Sequence, residues 1–289
     1  MSHSQVYFPP NFQELFSIWN RQSDAVLYAG GTEHIKYQCD RILSLPKNII
    51  ALEKIPELSK INRTERYLEL GAMVKLSQII HLGKIVPKAF MLCLEKIAGP
   101  QLRNIATIGG NLCYPPHRLD ASAAMIALDA QYELRAAQTS RWVSASRFSS
   151  LPGPPILGPQ EMLTRIRVPL EPWTFTWYRK FNTHSTNRPG GGILFIMRTQ
   201  KNTLTDIRVV YTGQIILREK NGETLLAGKR LPLDKKDAYA FVEAWKNYLS
   251  ILDGMEKAVF PEEIGNINPE LLKAQILNFI EFSIMQVSD

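Results

Sequence analysis

Two short clusters hold the residues of this chain best suited to chemistry: Tyr28-Ala29-Gly30-Gly31-Thr32-Glu33 and Thr107-Ile108-Gly109-Gly110-Asn111. Each follows an apolar stretch and sets adjacent glycines beside a threonine. Without Cβ atoms the backbone can approach a ligand closely and turn a row of bare N–H groups toward one anion. A diphosphate is the guest such a row suits. Neither cluster is Gly-x-Gly-x-x-Gly. The nearest approach to a phosphate loop of the ATP-binding kind, Gly222 to Gly228-Lys229-Arg230, has the wrong spacing and lacks the metal-holding Ser/Thr. An ordinary dinucleotide or ATP site is thereby excluded. One Gly-Gly pair is equally the mark of a tight turn; two pairs, each beside Thr and one also beside Asn, favour the ligand.

Other chemical signatures are missing. There is no Gly-x-Ser-x-Gly elbow and no His-Glu-x-x-His, and the five histidines (3, 34, 81, 117 and 184) are dispersed. Three cysteines, Cys39, Cys93 and Cys113, form no C-x-x-C pair and are too few to ligate an iron–sulfur cluster or structural zinc alone; they read as reduced thiols. A chain without its own acid–base or nucleophilic machinery suits a flavin or nicotinamide, which supplies the chemistry and asks the protein for binding and orientation.

The elements that must position these residues follow from patterning. With 289 residues and 45% hydrophobic content the chain can bury a sizeable core, and its length suggests two domains. The net charge of +7 is spread over scattered basic residues, which suits an anionic ligand or an acidic partner and lacks the aromatic-interleaved basic stretch of nucleic-acid binders. No basic and apolar leader opens the sequence, and no apolar run approaches the roughly 18 residues of a membrane span, so a cytoplasmic location is expected.

Residues 25–29 read as a buried strand running into Gly30, Ile49–Leu52 as a second, and Phe12, Leu15, Phe16 and Trp19 fall at helical spacing between the N-terminal prolines and the first strand. Tyr67–Ala72 alternates like a strand, and residues 76–97 have helical spacing interrupted at Pro87. Asp120 stands at a good N-cap position for an alanine-rich helix over Ala121–Ala130, a role compatible with a second duty toward a ligand hydroxyl. Strands are expected at 132–136, 141–143 and 166–170, a loop at 151–159, and a domain boundary at Pro169 to Pro172. Beyond it, strands at 175–181, 193–199 and 207–217 precede helices at 234–252 and 269–285, an α+β order. Gly190-Gly191-Gly192 reads as a loop rather than a phosphate cradle, since no helix clearly starts after it.

At the residues just named the chain resembles the FAD-binding (medium) subunit of the molybdenum hydroxylases, the family of xanthine dehydrogenase, aldehyde oxidase and aerobic carbon monoxide dehydrogenase. The likeness rests on Ala29-Gly30-Gly31-Thr32-Glu33, on Arg103-Asn-Ile-Ala-Thr-Ile-Gly-Gly-Asn111, on Asp120 and on a small C-terminal domain. It implies an α+β fold: a PCMH-type FAD-binding domain over 1–172, with subdomains of about 1–60 and 61–172, then a C-terminal domain over 173–289 like that of carbon monoxide dehydrogenase flavoprotein.

Carried over residue by residue, the resemblance gives the FAD diphosphate and ribityl contacts to Tyr28, Ala29, Gly30, Gly31, Thr32, Glu33, His34 and Ile35 and to Thr107, Ile108, Gly109, Gly110 and Asn111. Asp120 matches a further FAD-binding aspartate and Ile97 a position near the flavin or adenine ring. Leu163 and Lys180 match weaker FAD-proximal positions. His34 stands where relatives commonly carry an apolar residue, and 182–192 lacks the paired arginines of many xanthine dehydrogenases. No cysteine-bearing insertion for a further iron–sulfur cluster is present.

The implied activity is that of an oxidoreductase subunit with no catalytic or metal residues of its own. Non-covalent FAD here would receive electrons from [2Fe-2S] clusters on a small partner subunit, fed by a molybdopterin large subunit, and pass them to NAD or another acceptor. Two other readings remain at this point: a free-standing FAD oxidoreductase, and a flavin-free scaffold of the same fold. Neither nucleic acid nor membrane is expected as a partner.

Overall fold

The computed structural model describes residues 4–32, 45–113, 120–149, 155–181, 191–213, 215–250, 252 and 269–288. Its packing divides into two compact units, the first made of Met1–Val86, Ile97–Pro115 and Leu128–Leu170, the second of Pro87–Lys96, Pro116–Ala127 and Glu171–Asp289.

In the first unit, β1 (Gln5–Tyr7), β2 (Val26–Tyr28) and β3 (Asn48–Ala51) form a parallel sheet in the order β1-β3-β2. The central strand β3 is buried at all four residues, as a covered parallel strand must be. Helix Phe12–Arg21 joins β1 to β2. Asn11 caps it by accepting the Glu14 N–H at 2.9 Å, and it buries Leu15, Phe16 and Ile18.

The second sheet of this unit contains β4 (Ile61–Arg63), β5 (Tyr67–Gly71), β6 (Gln131–Arg135), β7 (Ser140–Ser144) and β8 (Met162–Pro169), antiparallel in the order β4-β5-β8-β6-β7. Leu68, Leu70, Tyr132, Leu134, Ile166 and Val168 fill its inner face. The other face pairs charges across strands: Arg167 Nε lies 2.5 Å from Glu69 Oε1 and Arg165 Nε 3.3 Å from Glu133 Oε2. Strand β8 begins four residues earlier than its alternation suggests. Met162, Leu163 and Thr164 are all buried, and a register shift at Glu133/Leu134 breaks the two-residue period there.

The second unit is built on β9 (Phe175–Lys180), β10 (Gly192–Gln200), β11 (Thr203–Thr212) and β12 (Ile216–Leu217), antiparallel in the order β12-β11-β10-β9. One face, with Phe195, Met197, Val209 and Tyr211, meets the C-terminal helices Lys235–Leu249 and Pro269–Met285, and Trp245 is fully buried in that core. The opposite face is covered by helix Lys88–Glu95, on β9, and by helix Asp120–Ala127, on β10 and β11.

The packing units therefore do not follow one cut at residue 172. All eight residues of Asp120–Ala127 are buried, and an alanine-rich helix with no polar face needs cover on every side, which the strands after 172 help provide. This helix ends at Ala127, short of Ala130, and Asp129 then adopts a left-handed φ of 54° on the way to β6. The strand expected over 207–217 is two strands, β11 and β12. Helix Lys220–Leu226 escaped the sequence reading; Glu219 opens it by accepting the N–H groups of Asn221 and Gly222 at 2.7 and 3.1 Å. No described helix is long and apolar enough to cross a membrane.

Just before β8, Glu161 takes both Arg141 Nε and Nη2 at 2.7 Å and the Gly158 N–H at 2.7 Å. The Arg141 hydrogen bonds outweigh burial and hold its carboxyl below the ordinary value of 4.5. A depressed folded value contributes stability above that ordinary value and loses it as pH falls through the folded one. Glu161→Gln should thus cost up to about 1 kcal/mol at neutral pH, Arg141 being half exposed. Urea titrations of variant and wild type should converge in acid.

Candidate functional site

The first glycine cluster follows β2 directly. Gly31 has a φ of 68°, which an L side chain rarely adopts, and a Cβ there would overlap the Tyr28 hydroxyl. A Cβ on Gly30 would overlap the Ile105 carbonyl, so the segment leading to the second cluster lies directly against the first. Among the described residues, the N–H groups of Gly30, Gly31 and Thr32 meet no protein acceptor. They form the bare donor row expected of this cluster. Glu33, His34 and Ile35, assigned to the same contact, lie outside the described residues.

The second cluster is built differently. Thr107 caps the helical turn Ile108–Leu112. The Ile108 N–H donates to Val74 O at 2.9 Å, the Gly109 N–H to Ala72 O at 2.8 Å, the Gly110 N–H to Thr107 Oγ1 at 3.2 Å and the Asn111 N–H to Thr107 O at 3.0 Å. The bare N–H row expected here is absent, because segment 72–76 and the Thr107 cap take all four donors. Gly109 serves close packing: a Cβ would sit 2.7 Å from both Cβ and O of Ala72. Gly110 is exposed, and a Cβ there would meet only Thr107 Oγ1, at 3.0 Å.

What this cluster offers a ligand is the Asn111 carboxamide. Its Oδ1 is buried and has no hydrogen-bond partner, an arrangement that costs free energy unless something outside the protein donates to it. Bare N–H donors at 30–32, an orphaned carboxamide oxygen at 111 and the open surface at Gly110 together fit a phosphorylated ligand carrying hydroxyl groups, as FAD does.

Ile97 is buried, and its carbonyl accepts from Arg103 Nη1 at 3.2 Å; Ala98 O accepts from the same nitrogen at 3.1 Å. Leu163 is buried in β8 opposite Leu134 and serves as a core residue of the sheet. Ala29 lies between β2 and Gly30.

Asp120 and Lys180, separate in the sequence reading, are one cluster in the second unit. Lys180 Nζ lies 2.9 Å from Asp120 Oδ2 and donates to Lys96 O at 3.0 Å. The sequence reading missed the third member. Tyr178, two residues before Lys180 and on the same face of β9, donates its hydroxyl to Asp120 Oδ1. Period-two spacing in Tyr178-Arg-Lys180 was the available signal. Burial first, and then the Asp120 charge, push the Tyr178 hydroxyl well above its ordinary value. The same two causes raise the buried Cys93 thiol beside it. Gly191 and Gly192 make room for tyrosines: a Cβ on Gly192 would overlap the Tyr178 hydroxyl, and one on Gly191 the Tyr211 hydroxyl. Gly190 lies outside the described residues. No group of three or more described His, Cys, Asp or Glu side chains could hold a metal ion.

Residues 2–171 match the family of the FAD binding domain in molybdopterin dehydrogenase. The chain belongs to this family. It is an FAD-binding oxidoreductase subunit of the molybdenum hydroxylase type. It is 30% identical over 224 residues to the carbon monoxide dehydrogenase medium chain of Hydrogenophaga pseudoflava, covering 75% of this chain and 77% of that one. To the nicotine 6-hydroxylase medium subunit of Paenarthrobacter nicotinovorans it is 23% identical over 253 residues, covering 85% and 88%. A solved carbon monoxide dehydrogenase from Hydrogenophaga pseudoflava, lacking the Mo-pyranopterin moiety of its cofactor, has a chain that superimposes with a TM-score of 0.79 at 26% identity, over 97% of this chain and 95% of that chain.

The two glycines of the second cluster should respond differently to one methyl group. Gly109→Ala should destabilise the first unit by about 1–3 kcal/mol through overpacking against Ala72. Gly110→Ala should leave the thermal midpoint of unfolding close to wild type. Circular dichroism melts of the two variants make the comparison.

Proposed function

We propose that this FAD-binding subunit holds non-covalent FAD, with the diphosphate on the N–H groups of Gly30, Gly31 and Thr32 and the Asn111 carboxamide oxygen accepting from a cofactor hydroxyl. The observation carrying this reading is the donor row at 30–32, which has no protein acceptor among the described residues. Thr107, Ile108 and Gly109 act behind the ligand, fixing Gly110 and Asn111. Tyr28 and Ala29 set the approach of the loop, and Glu33, His34 and Ile35 are assigned to the cofactor by resemblance alone. Asp120, Lys180, Ile97 and Leu163 belong to the cofactor's surroundings by resemblance. No His or Cys stands in an evident flavin-linking motif, which favours non-covalent binding.

Bound FAD supplies the oxidation–reduction chemistry. The chain's own residues bind the cofactor, neutralise its diphosphate with backbone dipoles and orient it. By the same reading the subunit works in the cytoplasm in a complex with a [2Fe-2S] small subunit and a molybdopterin large subunit. Electrons from those partners leave by way of this chain to NAD or another acceptor. The medium-chain naming of the two relatives supports a multi-subunit assembly. The substrate being hydroxylated would be selected by the molybdenum subunit.

Three outcomes are expected. Acid precipitation of the purified chain should release all its flavin, as FAD; flavin retained in the pellet, or FMN in the supernatant, contradicts the assignment. Gly110→Val should keep the circular dichroism of wild type and lose FAD, because the added branches stand on the exposed face beside Asn111. The isolated chain should turn over neither purines nor aldehydes, with activity appearing only on reconstitution with the two partners. Turnover by the chain alone would favour a free-standing oxidoreductase, and a colourless chain that cannot be loaded with FAD would favour a scaffold.

A further inference from the structure

A carboxylate that receives a ligand hydroxyl must be held in plane, since rotation about its side-chain bonds moves both oxygens. Asp120 is held at both. It is 8% exposed, with Lys180 Nζ on Oδ2 and the Tyr178 hydroxyl on Oδ1. A carboxylate offers about four acceptor positions, so two stay open for a ligand after both oxygens are fixed.

We propose that Tyr178 is a positioning residue of the flavin site, acting through Asp120. The inference rests on the reading that the chain binds FAD and that Asp120 serves the cofactor. Lys180 has a flexible stem and divides its ammonium between Asp120 and the Lys96 carbonyl, so it supplies charge more than direction. Tyr178 supplies direction. Its ring is rigid, its backbone is fixed in β9 opposite Leu194, and its hydroxyl occupies the space that Gly192 leaves by having no side chain. Gly192 thus gives up a side chain where the hydroxyl must sit, which marks the contact as built into the sheet. Burial keeps the hydroxyl protonated and therefore a donor, while the Cys93 thiol beside it is kept neutral by the same burial.

The test is a double-mutant cycle on the full chain, with FAD affinity read by titrating deflavinated protein and following flavin absorbance. Tyr178→Phe removes the donor and keeps the ring; it should weaken FAD binding by about tenfold, the loss of one charge-assisted hydrogen bond. Asp120→Asn should weaken it at least as much. If Tyr178 acts through Asp120, the double variant binds FAD no more weakly than Asp120→Asn alone, whereas independent structural roles give losses that multiply. Gly192→Ala, which displaces the hydroxyl without removing it, should behave like Tyr178→Phe in the same cycle, and it replaces that variant if Tyr178→Phe does not fold. Wild-type affinity in Tyr178→Phe, or multiplying losses in the cycle, overturns the proposal while leaving the flavin reading intact. Failure of both variants to fold makes the residue structural and also overturns it. Failure of the wild-type chain to bind FAD removes the flavin reading itself, and this inference with it.

Discussion

A buried helix end carries polar groups that water cannot reach, and helix Asp120–Ala127 has two such ends inside the second unit. At its C-terminus the carbonyls of Ile126 and Ala127 receive Arg218 Nη1 at 3.4 Å and Arg208 Nη1 at 2.6 Å. The helix has no basic residue in its own last turn, so the guanidinium groups come from β11 and the loop after β12. Each needs a counter-ion in turn: Arg208 pairs with Asp206, and Arg218 with both oxygens of Glu223. Burial nonetheless pushes the Glu223 carboxyl up against the pull of Arg218, and Glu223 spends Oε1 on the Val209 N–H as well. Trp173 lies against both Arg198 and Arg208. At the N-terminus, Asp120 places a negative charge where the helix dipole favours it, between Tyr178 and Lys180. Satisfying two helix ends thus recruits residues from β9, β11 and helix Lys220–Leu226.

The two glycine clusters show one motif put to two physical uses. At 30–32 the absence of side chains frees donors and permits a left-handed turn. At 107–111 it permits the chain to lie against Ala72 and consumes the donors in doing so, leaving a side-chain amide as the group still lacking a partner. The Ile105 carbonyl against Gly30 ties the two together. A substitution that looks equivalent in the sequence therefore strikes binding in one place and folding in another.

Much of this was legible in the sequence. Phe12 to Trp19 at helical spacing, the alternation of Tyr67–Ala72 and the helical pattern over 234–252 each gave an observed element, the latter two as Tyr67–Gly71 and Lys235–Leu249, because local pattern and tertiary burial agree there. The glycine clusters and Asp120 stood out for their chemistry. What could not be read depends on contacts distant in sequence. Whether the Gly109 N–H is free is decided by Ala72, and whether Asp120 stands alone is decided by Tyr178. The early start of β8 is hidden by a register shift against β6. Likewise no local pattern in the alanine-rich run says that its cover comes from strands after residue 190.

That interleaving has a consequence for how the chain is made. Synthesis proceeds from the N-terminus, so the segments Lys88–Glu95 and Asp120–Ala127 leave the ribosome well before β10 and β11 exist. During that interval an entirely apolar helix face has no sheet to lie on, and the second unit closes only after its most distant pieces have waited for one another. The family domain ends at residue 171, and a cut of the polypeptide there would part the helices Lys88–Glu95 and Asp120–Ala127 from the sheet face they cover.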